Sequence, residues 1–178
     1  MITKSCRFET KRLLVAEWHS LSAGDWRPKE LAQVVSGMLT PSVEQSLPEG
    51  WQGGYTSERA AAWINERDQE GATLLVVEQS TRLPIGMMIL FESDDEALGH
   101  IVRLGYLLSE TVWGRGIATE LVQGFIGWCR GVAIASIVGG VERGNITSQR
   151  VLEKSGFVCD SSAGDAGELF FELRLNAI

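Results

Sequence analysis

The stretch LGYLLSETVWGRGIAT, Leu104 to Thr119, changes character twice in sixteen residues. Its first part is an apolar run with the look of a strand, interrupted by Gly105, and a glycine inside a strand pattern signals a bulge or a close backbone approach. A short polar turn follows. Gly114 and Gly116 then open a helix whose apolar stripe, Ile117, Leu121, Val122, Phe125, Ile126 and Cys129, keeps helical spacing up to Gly131. Strand, glycine turn and helix in that order leave backbone N–H groups unpaired at a helix N-terminus, where the macrodipole adds about half a positive charge. An anion, above all a pyrophosphate, suits such a place; a tight turn without a ligand is the plainer reading of the same glycines. The dinucleotide fingerprint G-x-G-x-x-G is not met, because Thr119 stands where the third glycine belongs.

Working outward, His100 to Leu108 reads as the third strand of a meander that begins with the antiparallel pair Thr73–Glu78 and Ile85–Phe91, the turn before it being Ser93 to Gly99. On the other side, Ala133 to Val141 is a nearly continuous apolar strand, as expected at a sheet centre covered on both faces. Asn145 caps a short helix to Ser155 that Gly156 ends, and Phe157–Cys159 and Glu168–Leu175 are closing strands. Ahead of the meander lie a strand at Arg12–Trp18, a helix at Asp25–Leu39 with Pro28 near its start, and a helix over 57–70 capped by Thr56 and ended by Gly71. The order β-α-α-β-β-β-α-β-α-β-β predicts an α/β fold: one domain over residues 1–178, with a mixed twisted sheet of about seven strands and helices on both faces. Residues 40–55 form the longest irregular stretch, and a loop of that length in a compact domain is more often functional than idle.

Composition bounds the function. With 178 residues, 44% hydrophobic and 22% charged, the chain suits one ordinary globular core, not a disordered tail or fibrous repeat. Sixteen Lys+Arg against 23 Asp+Glu leave a formal charge of −7, the wrong sign for binding nucleic acid. An acidic field draws a cationic small molecule or a basic protein, or only keeps the chain soluble. Cys6, Cys129 and Cys159 are an odd, scattered set, and His19 and His100 are the only imidazoles, so neither a disulfide framework nor a zinc site is expected, and no metal. Charges from Lys4 to Glu17 break any signal-peptide core, and the longest apolar stretch, Val132–Val141, falls short of the ~20 residues that span a bilayer. A reduced, cytoplasmic protein without a membrane segment is the expectation.

These blocks resemble a known family, the GCN5-related N-acetyltransferases. Trp113 to Ala118, WGRGIA, is similar to the family's acetyl-CoA loop, (Gln/Arg)-x-x-Gly-x-(Gly/Ala), with Trp in place of the first residue. The LGYLLSE strand, the block from Asn145 to Phe157, and the openings TKRLLVAEW and YTSERAAAWI resemble the branch of the ribosomal-protein N-terminal acetyltransferases. The resemblance implies that 104–130 forms the acetyl-CoA loop and helix, that 133–157 is a second block touching cofactor or acceptor, and that 40–55 is the acceptor loop. It further implies that backbone groups of Tyr106, Leu107 and Leu108 pair with the pantetheine arm like an added strand. The Leu108 N–H then meets the oxyanion, a kind of donor worth ~3–4 kcal/mol. Amides of Gly114, Arg115, Gly116, Ile117, Ala118 and Thr119 would hold the pyrophosphate, with a charge-assisted contact from Arg115. Asn145 both caps its helix and, by resemblance, touches the cofactor arm.

Two departures concern the chemistry. Many relatives carry a Tyr that protonates the leaving thiolate where this chain has Leu152; Ser148, one turn earlier, is the nearest replacement, or a plain first-turn serine. Relatives often have Glu where Arg103 stands, and Arg cannot serve as a base. A missing base costs least for an α-amine, whose pKa of ~7.8 lies about 2.6 units below that of lysine, a difference of ~3.5 kcal/mol. Glu92, with Asp94, Asp95 and Glu96 beyond it, acts through water or attracts a cation, or is a solvated hairpin turn. His100 is a base or a packed histidine. Trp18 and Trp26 are read as core and cover, while Trp51 lines an acceptor pocket or covers the core. The expected activity is direct transfer of acetyl from acetyl-CoA to an amine, with no covalent enzyme intermediate. The leading acceptor is a protein N-terminal α-amine; a polyamine, aminoglycoside or other small amine is the alternative, and a catalytically silent acyl-CoA sensor the rival. Monomer and homodimer both remain open.

Overall fold

The computed structural model describes residues 1–21, 25, 30–97, 99–160 and 167–175. Its sheet comprises β1 (Arg7–Glu9), β2 (Leu13–Glu17), β3 (Ala72–Glu78), β4 (Leu83–Asp95), β5 (Gly99–Leu108), β6 (Ser136–Glu142), β7 (Val158–Asp160) and β8 (Glu168–Arg174). The strand order is β1-β2-β3-β4-β5-β6-β8-β7, and every pair is antiparallel except β5 with β6. The sheet thus has eight strands where about seven are expected. The added strand, β1, has only three residues, too few to show a period of two. It is held by tertiary packing, with the Phe8 ring 6.4 Å from that of Phe125.

Side-chain alternation gives the sheet two cores. Leu74, Val76, Val102, Leu104, Ile137 and Phe171 lie on the face that carries α4 (Ile117–Cys129) and α5 (Ile146–Lys154). Leu75, Val77, Met87, Ile89 and Leu107 pack on the opposite face with α1 (Leu31–Met38) and α3 (Ser57–Glu70). The stripe expected on α4 is the one it buries, from Ile117 to Cys129. Thr56 caps α3 through its side chain, which accepts from the Arg59 N–H at 3.2 Å.

Several boundaries move. The central strand expected from Ala133 begins at Ser136. The first helix begins at Leu31, not Asp25; Trp26 and Pro28 lie outside the described residues. The irregular stretch 40–55 contains α2 (Pro41–Glu44) and a 3-10 turn at Glu49–Trp51. The expected turn at Ser93 is strand, because the β4–β5 hairpin runs on to Asp95 opposite Gly99; Leu98 lies outside the described residues. Among the described residues no helix is long and apolar enough to cross a membrane.

What positions the site is the short parallel ladder. β5 and β6 pair only through Ile101–Ser136, Val102–Ile137 and Arg103–Val138. Beyond Arg103, β5 stays with β4 to Leu108 opposite Gly86, while β6 stays with β8 to Glu142 opposite Glu168, so the sheet opens between them. Gly86 permits the close approach on the β4 side: a side chain there would come within 2.5 Å of Leu108 Cδ2 and 2.6 Å of the Leu107 carbonyl.

Candidate active site

The opening becomes a cleft of about 980 Å³. Strand parity decides which backbone groups face it. The Ser109 N–H bonds the Ile85 carbonyl at 2.8 Å, and in an antiparallel ladder hydrogen-bonded positions recur every second residue. Leu107 and Gly105 therefore turn their backbone groups towards β4, and Tyr106 and Leu108 turn theirs towards the opening. This corrects the expectation of three successive residues with free backbone groups: Leu107 spends its own on Met87. The Leu108 carbonyl is also engaged, accepting from the Trp113 indole N–H at 2.8 Å, which leaves Leu108 its N–H. Trp113, the departure from the loop pattern, thus ties the glycine turn to the end of β5.

The turn itself has the local geometry that its glycines suggest. Gly114 and Gly116 have φ of 72° and 73°, the left-handed region that side chains disfavour. Gly116 is the N-cap of α4 and supplies no side chain, and the first intrahelical bond runs from the Glu120 N–H to the Gly116 carbonyl. The amides of Ile117, Ala118 and Thr119 therefore have no partner within the helix. Arg12, just before β2, braces this turn: its guanidinium bonds Glu120 at 2.6 Å and the Arg115 carbonyl at 2.9 Å. The Arg115 side chain is held by Glu78 at 3.0 Å, so an anion at the turn would have to share it. The turn stands outside the cleft walls, past Trp113.

Tyr106, Asn145 and Ser148 do come together in the cleft. Asn145 caps α5, its Oδ1 accepting from the Ser148 N–H at 3.1 Å. The Tyr106 hydroxyl donates to Ser148 Oγ at 3.3 Å. Burial pushes the Tyr106 pKa up, only partly offset by that hydrogen bond, so the phenol stays protonated. Leu152 lines the wall beside them and offers no proton. The hydroxyl pair was hidden from sequence reasoning because its members sit 42 residues apart.

The other face of the opening is built by the segment from Ser46 to Trp51 that follows α2, and by the far sides of β5, β6 and β8. Leu47 and Trp51 line it, Trp51 edge-on to Trp63 at 5.4 Å and beneath the Arg67 guanidinium at 4.4 Å. Trp51 is thus both wall and cover, whereas Trp18 is core. The buried Glu44 carboxylate shapes this wall by accepting from the amides of Gly53 and Gly54 at 2.9 and 3.1 Å. Arg103 and Glu168 face each other across the same face at 3.6 Å. Nothing in the local sequence pattern separates Glu168 from a solvated strand carboxylate.

Glu92 and His100 are not in the cleft walls. Glu92 accepts from the Ile2 amide at 3.0 Å, the Thr3 amide at 2.6 Å and the Thr3 hydroxyl, while His100 bridges Glu92 at 2.8 Å and Asp94 at 2.7 Å. The group is a structural tie for the N-terminal turn. Burial raises the pKa of Cys6, and pushes that of Cys129 up to about 12, so neither offers a thiolate. Glu17, His19 and Asp68 cluster within 4.8 Å, but Asp68 is already bonded by the Trp18 indole and by His19.

The fold and opening define an α/β protein whose mixed sheet splits between two parallel strands beside a glycine turn and a helix N-terminus. The family model for the acetyltransferase (GNAT) domain matches residues 24–158, and the chain belongs to that family. Among solved structures, the chain is similar to a GNAT-family acetyltransferase from Bacillus anthracis, with 17% identity, TM-score 0.74, and 95% of this chain and 98% of that chain covered. It is also similar to the ribosomal-protein-S5-alanine acetyltransferase from Vibrio fischeri, with 17% identity, TM-score 0.68 and coverage of 95% and 96%. A third is a ribosomal L7/L12 α-N-protein acetyltransferase in complex with coenzyme A, with 16% identity, TM-score 0.70 and coverage of 96% and 98%. No curated protein matches the sequence.

Proposed function

We propose that the protein is an acetyl-CoA-dependent N-acetyltransferase whose acceptor is a protein N-terminal α-amine. One observation carries this reading: the Tyr106–Ser148 hydroxyl pair lies in the split of the sheet, next to the N–H edge of β5. The split suits an extended amide-bearing arm, which Tyr106 would pair as a strand, and the uncapped first turn of α4 suits its pyrophosphate. Segments 104–130 and 133–157 would thus hold acetyl-CoA, and segment 40–55 would border the acceptor.

The chain's own groups then supply each step. The Leu108 N–H stabilises the oxyanion that develops when the amine nitrogen attacks the thioester carbon. As the C–S bond breaks, the Ser148 hydroxyl donates to the departing sulfur, and Tyr106, itself donating to Ser148, keeps that hydroxyl aimed. The proton shed by nitrogen passes to water or to a carboxylate of the acceptor face, and Ser148 takes back a proton from water, so that the net change moves one proton from nitrogen to sulfur. An α-amine needs the least help here, since about a third of it is already neutral near pH 7.5. No cysteine stands in the cleft walls, which fits direct attack.

The ribosomal-protein names carried by two similar structures agree with this acceptor class, although 16–17% identity supports the fold alone. The test is thiol release from acetyl-CoA over peptides with free or blocked α-amines, read with product masses. Acetyl groups found on free N-termini are expected. Acetyl-CoA binding with no release over the whole panel would instead make the protein an acyl-CoA sensor, and absence of binding would end the reading.

A further inference from the structure

Resting on the N-acetyltransferase reading above, we infer that the acceptor amine carries a carboxylate within reach of its nitrogen, and that Arg103 is the residue that selects it. Strand parity puts Arg103 on the acceptor face. Leu104 and Tyr106 point towards α4 and α5, so Arg103 and Leu107 point the other way, where Leu47, Trp51 and Phe91 form the wall. On β6 the same parity turns Gly140 to this face, and on β8 it turns Glu168 and Phe170 there, since Val141, Leu169 and Phe171 belong to the opposite core.

Gly140 makes room for charge. A side chain at that position would collide with the Glu168 carboxylate and come within 3.1 Å of Arg103 Nη2. The bare backbone is therefore a floor on which Arg103 and Glu168 sit. The guanidinium lies 5.2 Å from the Phe170 ring centre, a cation–π contact that steadies it. Its ion pair with Glu168 is loose: 3.6 Å is beyond hydrogen-bonding distance, and the side chains are 49% and 37% exposed. Such a pair yields readily to a carboxylate that can take the guanidinium fork with two short bonds.

The charge balance of the cleft agrees. Among the described residues its charged lining is Arg103, Glu142, Arg143 and Glu168, two of each sign. A polyamine or aminoglycoside needs several carboxylates and no cation. An ammonium with a carboxylate nearby matches the balanced set, the ammonium beside Glu168 and the carboxylate on Arg103. A free α-amino acid and a peptide N-terminus with an early acidic side chain share this chemistry.

Matched acceptors test the inference: an α-amino acid against its amide, Ser-Glu dipeptide amide against Ser-Gln dipeptide amide, and spermidine, each with wild type, Arg103→Gln and Arg103→Lys. Wild type is expected to favour the carboxylate member of at least one pair by about tenfold in kcat/KM, the pair identifying amino acid or peptide as the source. Arg103→Gln should remove that preference, mainly through acceptor KM, and leave the KM for acetyl-CoA and the thermal midpoint within error; Arg103→Lys should restore part of it. Transfer without preference in wild type, or a preference kept in Arg103→Gln, would overturn this inference while leaving the N-acetyltransferase reading intact. No transfer to any amine would overturn that reading and this inference with it.

Discussion

Tyr106 on β5 donates its hydroxyl proton to Ser148 in the first turn of α5, across 3.3 Å. The bond ties β5 to α5 beside the opening that the parallel strands leave and sets two hydroxyls where Leu152 offers none. Ser148→Ala should lower kcat by ~10²-fold with acetyl-CoA affinity nearly unchanged, and Tyr106→Phe by a smaller factor, about three- to tenfold. Steady-state kinetics with calorimetric binding checks both. Because burial raises the Tyr106 pKa, it should add no limb to the kcat profile below about pH 9.

The glycine turn gives a binding prediction. Gly116 sits at φ 73° with Arg12 Nη2 3.8 Å from where a Cβ would be, so Gly116→Ala meets strain more than collision. The left-handed cost is about 1–2 kcal/mol, and relief would tilt the α4 amides. The KM for acetyl-CoA should rise several-fold with kcat little changed, as measured by initial rates at saturating acceptor.

Glu44 shapes the acceptor wall without lining the cleft. Its carboxylate gathers the amides of Gly53 and Gly54, two and three residues beyond Trp51. Glu44→Ala would leave two amides unpaired, at about 1–3 kcal/mol, and loosen Trp51. Acceptor KM should rise while acetyl-CoA KM stays put; an equal rise in both would remove the wall from acceptor binding.

The N-terminal tie makes stability depend on pH. Burial raises the Glu92 pKa, but bonds from the Thr3 hydroxyl and amide, the Ile2 amide and His100 outweigh it, so the carboxyl ends below its ordinary value. Its contribution is present above the unfolded pKa of about 4.3 and lost as pH falls through the lower folded value. His100 is raised, by Asp94 first and then Glu92, against burial. Its contribution is complete below the unfolded pKa of about 6.5 and lost as pH rises through the higher folded value. Melting scans should show this pair most stabilising between about pH 4.5 and 6.5, and His100→Asn should flatten the decline above that window.

Gly124 faces β1. A Cβ there would lie 2.7 Å from both Phe8 Cε2 and Thr10 Cγ2. Gly124→Val should cost about 1–3 kcal/mol, lowering Tm by ~2–4 °C per kcal/mol, with kcat unchanged below the transition. Calorimetry measures the shift.

Local chemistry was legible in the sequence alone. The α4 stripe, the Thr56 and Asn145 caps, the left-handed glycines of the turn and the two-block family pattern all depend on residues a few positions apart, where helical spacing and capping act. The bulge or close approach expected at Gly105 is absent, because β5 stays in register with β4 through the Ile89–Gly105 pair and a Cβ at Gly105 would come no nearer than 4.0 Å to the Ile89 carbonyl. Tertiary structure decided the rest. Parity against β4 removed Leu107 from the free edge, the Trp113 indole took the Leu108 carbonyl, and Phe8 with Gly124 made a strand of three residues that no pattern announces. The Tyr106–Ser148 pair and the Arg103–Glu168 pair join residues 42 and more positions apart. Such contacts are set by sheet register and by which face a side chain takes, and a single residue of register would have turned each to the other core.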